Sequence, residues 1–149
     1  MATINPYLIF DGNCETAFQF YSSVFGKEIQ QWGRFGDIPA DVDMPPLSDD
    51  LKNRIMHVTL EISPGYVLMG SDSNPAMGTF VIGNNIDLAI GVDSREEAEE
   101  IFRKLSENGK ITMEMQDTFW GAYFGMVEDQ FGVEWMINYD DPAKMQLLG

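Results

Sequence analysis

The sequence is poor in cysteine, histidine and positive charge. Cys14 is its one cysteine, so no intrachain disulfide framework is available and a reducing, cytoplasmic setting is expected. Nine Lys and Arg stand against 24 Asp and Glu, a formal net charge of −15. Nucleic acid and anionic membrane are therefore not expected partners, since both require basic surface. No apolar run approaches the roughly 18 residues of a membrane-spanning helix. No basic start leads into an apolar segment of the signal-peptide kind. The expectation is a soluble, acidic protein whose 149 residues make one domain's worth of chain with a real core.

What the chain does have is two similar runs of strand and helix signals. Asn5 to Phe10 reads as a strand that ends in Asp-Gly-Asn. Asn13 is placed to cap a helix on which Ala17, Phe20, Tyr21 and Val24 form one apolar face, and Gly26 stops it. Cys14 opens that helix with no basic group or histidine beside it in sequence, so it reads as a structural thiol. Lys27 to Trp32 suggests a second strand. Residues 35–52 hold three prolines and five aspartates without periodicity, a loop of the length used by lids. Its acids lack the spacing of a calcium loop and read as a solvated face.

Ile55 to Ile62 alternates strictly, with Met56, Val58, Leu60 and Ile62 on one face and His57, Thr59 and Glu61 on the other. Tyr66 to Met69 returns as its partner, and residues 73–83 link the halves. In the second half, Asn85 to Val92 reads as a strand. Ser94 and Glu97 form a capping box for a helix with Ala98, Ile101, Phe102 and Leu105 on its apolar face. Ile111 to Met115 and the stretch Gln116 to Asn138 supply three more strands, of which Val133 to Ile137 reads as buried. Residues 140–149 form a tail.

The most information-rich stretch is QDTFWGAYFGMVEDQFGVEWMIN, residues 116–138. Its aromatics supply core burial on one reading. On the other, Phe119, Trp120 and Tyr123 line a pocket, with Trp135 the better candidate for pure core.

The two halves repeat. Leu8 matches Leu88, and Ala17, Phe20, Tyr21 and Val24 match Ala98, Ile101, Phe102 and Leu105. Gly65 to Met69 matches Gly132 to Met136 without a gap. Each half reads strand, helix, strand, strand, strand, so a helix covers one face of each sheet. The expected fold is α+β: two βαβββ modules, about 5–72 and 84–139, with curved mixed sheets forming a shared cleft suited to a small molecule.

This order resembles the vicinal oxygen chelate superfamily, which includes glyoxalase I, extradiol dioxygenases and bleomycin-resistance proteins. PYLIFDGNCETAFQFY, LMGSD and TFWGAYFGMVEDQFGVEWMIN resemble its PhnB-like branch, across roughly residues 5–139. That branch is often labelled as related to a demethylubiquinone methyltransferase, yet no glycine-rich strand-to-helix turn of a nucleotide-binding fold is present. The resemblance implies a homodimer.

It also implies a metal position near the start of each module's first strand and one in its last. Those positions carry Pro6 or Tyr7, Met69, Asp87 and Met136. Thioethers are poor ligands for Zn²⁺, Mg²⁺ or Fe²⁺, and one carboxylate falls short of the three protein ligands of a catalytic zinc. His57 and Glu61 share a strand face but lie about 13 Å apart along it. No metal and no other cofactor is expected. The ligand set anticipated is Phe119, Trp120, Tyr123, Trp135, Met69, Met136 and Ser71, with His57 and Glu61 as the candidates for catalysis. The leading reading is a metal-free protein binding a small, partly apolar or aromatic molecule. The alternatives are a metal-dependent lyase or dioxygenase, and a binding or resistance protein without chemistry.

Overall fold

The computed structural model of the chain describes residues 1–39 and 42–145. It divides into two compact units, Met1–Val81 and Ile82–Gly149.

The first unit contains β1 (Tyr7–Phe10), α1 (Cys14–Phe25), β2 (Gln31–Arg34), α2 (Asp49–Asn53), β3 (Ile55–Ser63) and β4 (Tyr66–Asp72). Its mixed sheet has the order β1-β4-β3-β2, with β1 parallel to β4 and the other pairs antiparallel. The second contains β5 (Leu88–Gly91), α3 (Arg95–Leu105), β6 (Lys110–Asp117), β7 (Ala122–Glu128), β8 (Glu134–Asp140) and α4 (Pro142–Met145). Its sheet has the order β5-β8-β7-β6, the same topology with β5 parallel to β8. Two four-stranded mixed sheets, each with one long helix, give the α+β architecture of a βαβββ repeat.

Each helix is held by apolar side chains at helical spacing. On α3 the buried set is Ala98, Ile101, Phe102 and Leu105, as the spacing predicts, and the Ser94 hydroxyl accepts from the Glu97 N–H. On α1 the buried stripe is Cys14, Ala17, Phe18, Tyr21 and Val24. Phe18, and not the expected Phe20, is fully buried along with Tyr21; Phe20 lies half-buried at the stripe's edge, its ring 5.7 Å from that of Tyr21. Burying about one such aromatic side chain contributes roughly 1.5–3 kcal/mol. Gly26 closes the helix with φ +64, a left-handed conformation that glycine adopts without steric cost.

Asn13 makes no side-chain cap. The start of α1 is held instead by Asp72, 3% exposed at the end of β4. One of its oxygens accepts from the N–H groups of Gly12 and Cys14, both at 2.9 Å, and the other from the Ile55 N–H at 2.8 Å. This carboxylate joins the helix start to two strands. Burial and then the nearby carboxylates of Asp72 and Glu15 push the Cys14 thiol well above the usual range, which makes it an inert core group.

Several element boundaries depart from expectation. The second strand begins at Gln31 rather than Lys27, and α2, capped by Ser48, occupies the end of the proline-rich loop. Residues 35–37 make one 3-10 turn; Ala40 and Asp41 lie outside the described residues. In β3, a shift in register against β2 at Gly33/Arg34 places Ile55 in the core. Met56 beside it is exposed, Val58 and Leu60 are fully buried, and Ile62, at a second irregularity against β4, is partly covered. The tail opens with α4, and residues 146–149 lie outside the described residues.

Candidate functional site

A strand sends alternate side chains to opposite faces, so each sheet presents one face to its own helix and leaves the other uncovered by that helix. Gly70 marks the helix side of the first sheet, since a Cβ there would meet Phe18 and the Leu8 carbonyl oxygen, both at 2.7 Å. Leu8 and Val58 share its row. The next row, Tyr7, Met69, Thr59 and Gln31, points to the uncovered side. Ile9, paired with Ser71, and Glu61, paired with Val67, point the same way.

The uncovered face of the first sheet is polar at its centre. His57 Nδ1 lies 3.3 Å from Tyr7 Oη, and its Nε2 lies 2.9 Å from Thr59 Oγ1. The Tyr7 and His57 rings are 5.7 Å apart and tilted by 30°. Both ring nitrogens are thus engaged, and Tyr7 is exposed. Ser71 is 8% exposed, covered more than a binding residue on an open face needs to be. Glu61 shares the face but stands a row away from this chain, opposite Val67.

In the second sheet, Trp135, Val127 and Leu88 share a row facing α3, as do Ile137 and Ile90. Gly125 sits beneath the helix, where a Cβ would meet Phe102 at 3.0 Å. Trp135 is 3% exposed and its indole N–H donates to Asp129 Oδ2 at 2.9 Å. Asp129, itself buried, also accepts from the N–H groups of Phe131 and Val133, which builds the turn into β8.

Tyr123 is on the helix side too. Its hydroxyl donates to Glu99 of α3 at 2.9 Å, and the Arg95 guanidinium lies 4.0 Å from its ring centroid. Burial and then the bond to Glu99 raise the Tyr123 phenol above its ordinary range. Arg95 also donates to Asp117, as does Lys144 of α4; those bonds, Arg95 first, hold the Asp117 carboxyl below the ordinary carboxylate range.

The uncovered face of the second sheet is apolar. Met126 stands opposite Met136 and Phe124 opposite Asn138. Trp120, 43% exposed in the turn before β7, packs edge-on against Phe124 with centroids 6.2 Å apart; Phe119, 88% exposed, meets Trp120 at 5.0 Å. At the far end of the face Glu128 pairs with Glu134. A hydrogen bond to Asp87, then desolvation, raises the Glu134 carboxyl above its ordinary range.

Of the residues singled out from sequence, the fold therefore brings Phe119, Trp120 and Met136 together on one face. It brings His57, Glu61, Met69 and Ser71 together on the other sheet's face. Tyr123 and Trp135 point the opposite way, into the packing beneath α3. Phe124, Met126, Tyr7 and Thr59 complete the two faces. Alternation from His57 locates Thr59, whereas Tyr7, Phe124 and Met126 follow only from the pairing of their strands.

The donor set expected for a metal does not fit one. Aligning Met69 with Met136 through strand register makes Tyr7 equivalent to Ala89 and Leu8 equivalent to Ile90, two residues beyond the match of Leu8 with Leu88. Asp87 precedes β5 and bonds to Glu134. A phenol, two thioethers and a methyl group are a poor set for a divalent ion. Among the described residues, no group of three or more His, Cys, Asp or Glu is placed to hold an ion.

Comparison with known proteins agrees with this geometry. The model of the Glyoxalase/Bleomycin resistance protein/Dioxygenase superfamily matches residues 3–137. Protein YjdN of Escherichia coli (strain K12) is 34% identical over 140 residues, covering 91% of this chain and 93% of that protein. The crystal structure of protein PA1353 from Pseudomonas aeruginosa is 38% identical, with TM-score 0.80, over 94% of this chain and 98% of that one. A PhnB protein from Bacillus cereus is 26% identical, with TM-score 0.71, over 93% and 99%. With its two βαβββ units and these matches, the chain belongs to the Glyoxalase/Bleomycin resistance protein/Dioxygenase superfamily, with a PhnB protein among its structural neighbours.

Proposed function

We propose that the protein binds a small, uncharged, partly apolar or aromatic molecule against an uncovered sheet face, without a metal ion. The observation that carries this reading is that Trp120, packed against Phe124, stands on the same sheet face as the Met126–Met136 pair, with Phe119 beside Trp120. Phe119 and Trp120 are exposed and Phe124, Met126 and Met136 half-buried; rings and thioethers grouped on one face are costly to leave in water, and such patches commonly mark ligand sites. A net charge of −15 disfavours an anionic ligand. The superfamily's metal chemistry is not invoked, because the residues at the expected ligand positions supply no suitable donors. Homodimerisation and a cytoplasmic location are part of the same proposal, the first from the resemblance and the second from the lone cysteine.

The test is a titration with N-phenylnaphthylamine, a neutral fluorophore that brightens in apolar surroundings, run beside metal analysis and native mass spectrometry. Saturable binding that is lost in Trp120→Ala, by metal-free protein of dimeric mass, is the expected result. Binding that needs a stoichiometric divalent ion would instead favour the lyase or dioxygenase reading. Binding untouched by the Trp120 change would place the site elsewhere.

A further inference from the structure

We propose that Tyr7, His57 and Thr59 form an acid–base unit in which Tyr7 Oη meets the substrate, His57 stores the proton, and Thr59 positions the imidazole. The substrate class is an uncharged molecule with an enol hydroxyl or an enolisable carbon beside an aromatic or apolar body. This deepens the preceding proposal and rests on its reading of an uncovered sheet face as a ligand site, here the face of the first sheet.

The geometry assigns the roles. His57 is the one histidine of the chain. Its two nitrogens are occupied, Nδ1 by Tyr7 Oη and Nε2 by Thr59 Oγ1, so the imidazole has no nitrogen left for a substrate. Tyr7, 44% exposed, is the outlet of the chain. With Nε2–H donating to Thr59, Nδ1 accepts from the Tyr7 hydroxyl, and the phenol oxygen keeps a lone pair for a substrate proton. A reactive group, a base, and a third group that orients the base is the arrangement of activated sites in general. The row that holds Tyr7 and Thr59 also holds Met69, an apolar neighbour for the substrate body.

The step balances without a co-reactant. The enol O–H proton passes to Tyr7 Oη while the Tyr7 proton passes to His57 Nδ1, and the O–H bonding pair stays on the enolate oxygen. In the second half the carbonyl re-forms and the C=C pair takes a proton from Tyr7 Oη at carbon, while Nδ1 returns its proton to the phenol. The net change is a proton shift from oxygen to carbon, with no oxidation or reduction.

Two measurements test this. Long-range nitrogen–proton NMR reads the tautomer of the single histidine directly. The protonated nitrogen is expected to be Nε2, Thr59→Val should abolish that preference, and Thr59→Ser should restore it. The opposite tautomer would overturn the assignment of roles. The second uses benzoylacetone, a neutral aryl diketone: its enol-to-keto conversion is followed by ultraviolet absorbance and its binding by tryptophan fluorescence. Faster conversion than in buffer is expected. Tyr7→Phe and His57→Gln should each lower it by about 10²–10⁴-fold, the usual contribution of general acid–base catalysis, with binding kept. Binding without faster conversion would overturn the acid–base proposal and leave the ligand site standing. Absence of benzoylacetone binding while N-phenylnaphthylamine still binds would overturn the substrate class. Absence of both would bring down the ligand site as well. Conversion that survives Tyr7→Phe would remove Tyr7 from its role.

Discussion

The two sheets share one strand order, yet their uncovered faces carry different chemistry. The first presents a hydrogen-bonded chain of Tyr7, His57 and Thr59, and the second presents Trp120, Phe124, Met126 and Met136. On the helix sides the difference shrinks, since both bury an apolar stripe at helical spacing. Each unit also buries a carboxylate, used in two ways. Asp72 ties α1 to β3 and β4, whereas Asp129 ties a turn to the Trp135 indole. In this repeat the fold constrains the covered faces and leaves the uncovered ones free to differ, which is why function is sought on the latter.

Removing the buried elements should have the largest effects. Asp72→Ala strands three N–H donors at the start of α1 and on β3. With roughly 1–3 kcal/mol for each unsatisfied buried donor, a loss of about 3 kcal/mol or more is expected in equilibrium unfolding. Trp135→Ala should cost about 3–5 kcal/mol, the range for a large core aromatic, because it also takes the indole N–H from Asp129. If either change proves nearly neutral, the claim that the covered faces are the constrained ones fails.

A contrast within α1 is sharper and smaller. Phe18→Ala should cost about 3–5 kcal/mol, and Phe20→Ala clearly less, because Phe18 is fully buried and Phe20 is at the edge. Equal losses by chemical denaturation would return the helix to the face read from sequence.

Among the effects on folding, that of the uncovered face should be slight. Trp120→Ala is expected to cost under about 1 kcal/mol, as exposed substitutions do, while removing most probe binding. Smaller still is the Asp87–Glu134 pair. The folded-state affinity of Glu134 for its proton is raised, so its contribution is present at acid pH and is lost as pH rises through the folded-state value. Glu134→Gln keeps a hydrogen-bond donor and removes that titration. Its stability relative to the natural chain should therefore improve as pH rises from acid to neutral, and a difference independent of pH would disprove the coupling.

Local periodicity made most of this fold legible, and contacts distant in sequence account for most of the rest. The α3 stripe follows from spacing alone. Phe18 and Phe20 are both apolar, so spacing alone does not choose between them; Phe18 is the one that packs over Gly70 and against Phe10. Asn13 looks like a cap because its residue type suits one, but the acceptor that holds the helix start arrives from Asp72, about sixty residues on. The offset between Leu8 and its repeat partner is likewise visible only in the pairing of β1 with β4 and of β5 with β8. For the site, residue types pointed to Trp120 and Met136, but a local reading could not show that Tyr123 and Trp135 turn toward α3. That follows from the parity of β7 and β8 once they are paired.

The central claim, that ligand lies against an uncovered face, that of the second sheet, is tested most directly by methionine-methyl NMR during titration with N-phenylnaphthylamine. Met126 and Met136 lie on the uncovered face, whereas Met115 sits beside Gly125 on the helix side, its sulfur where a Cβ on Gly125 would meet it at 2.5 Å. The account expects the Met126 and Met136 methyl signals to shift in a saturable way while the Met115 signal stays in place. A saturable shift of Met115 with Met126 and Met136 unmoved would contradict it.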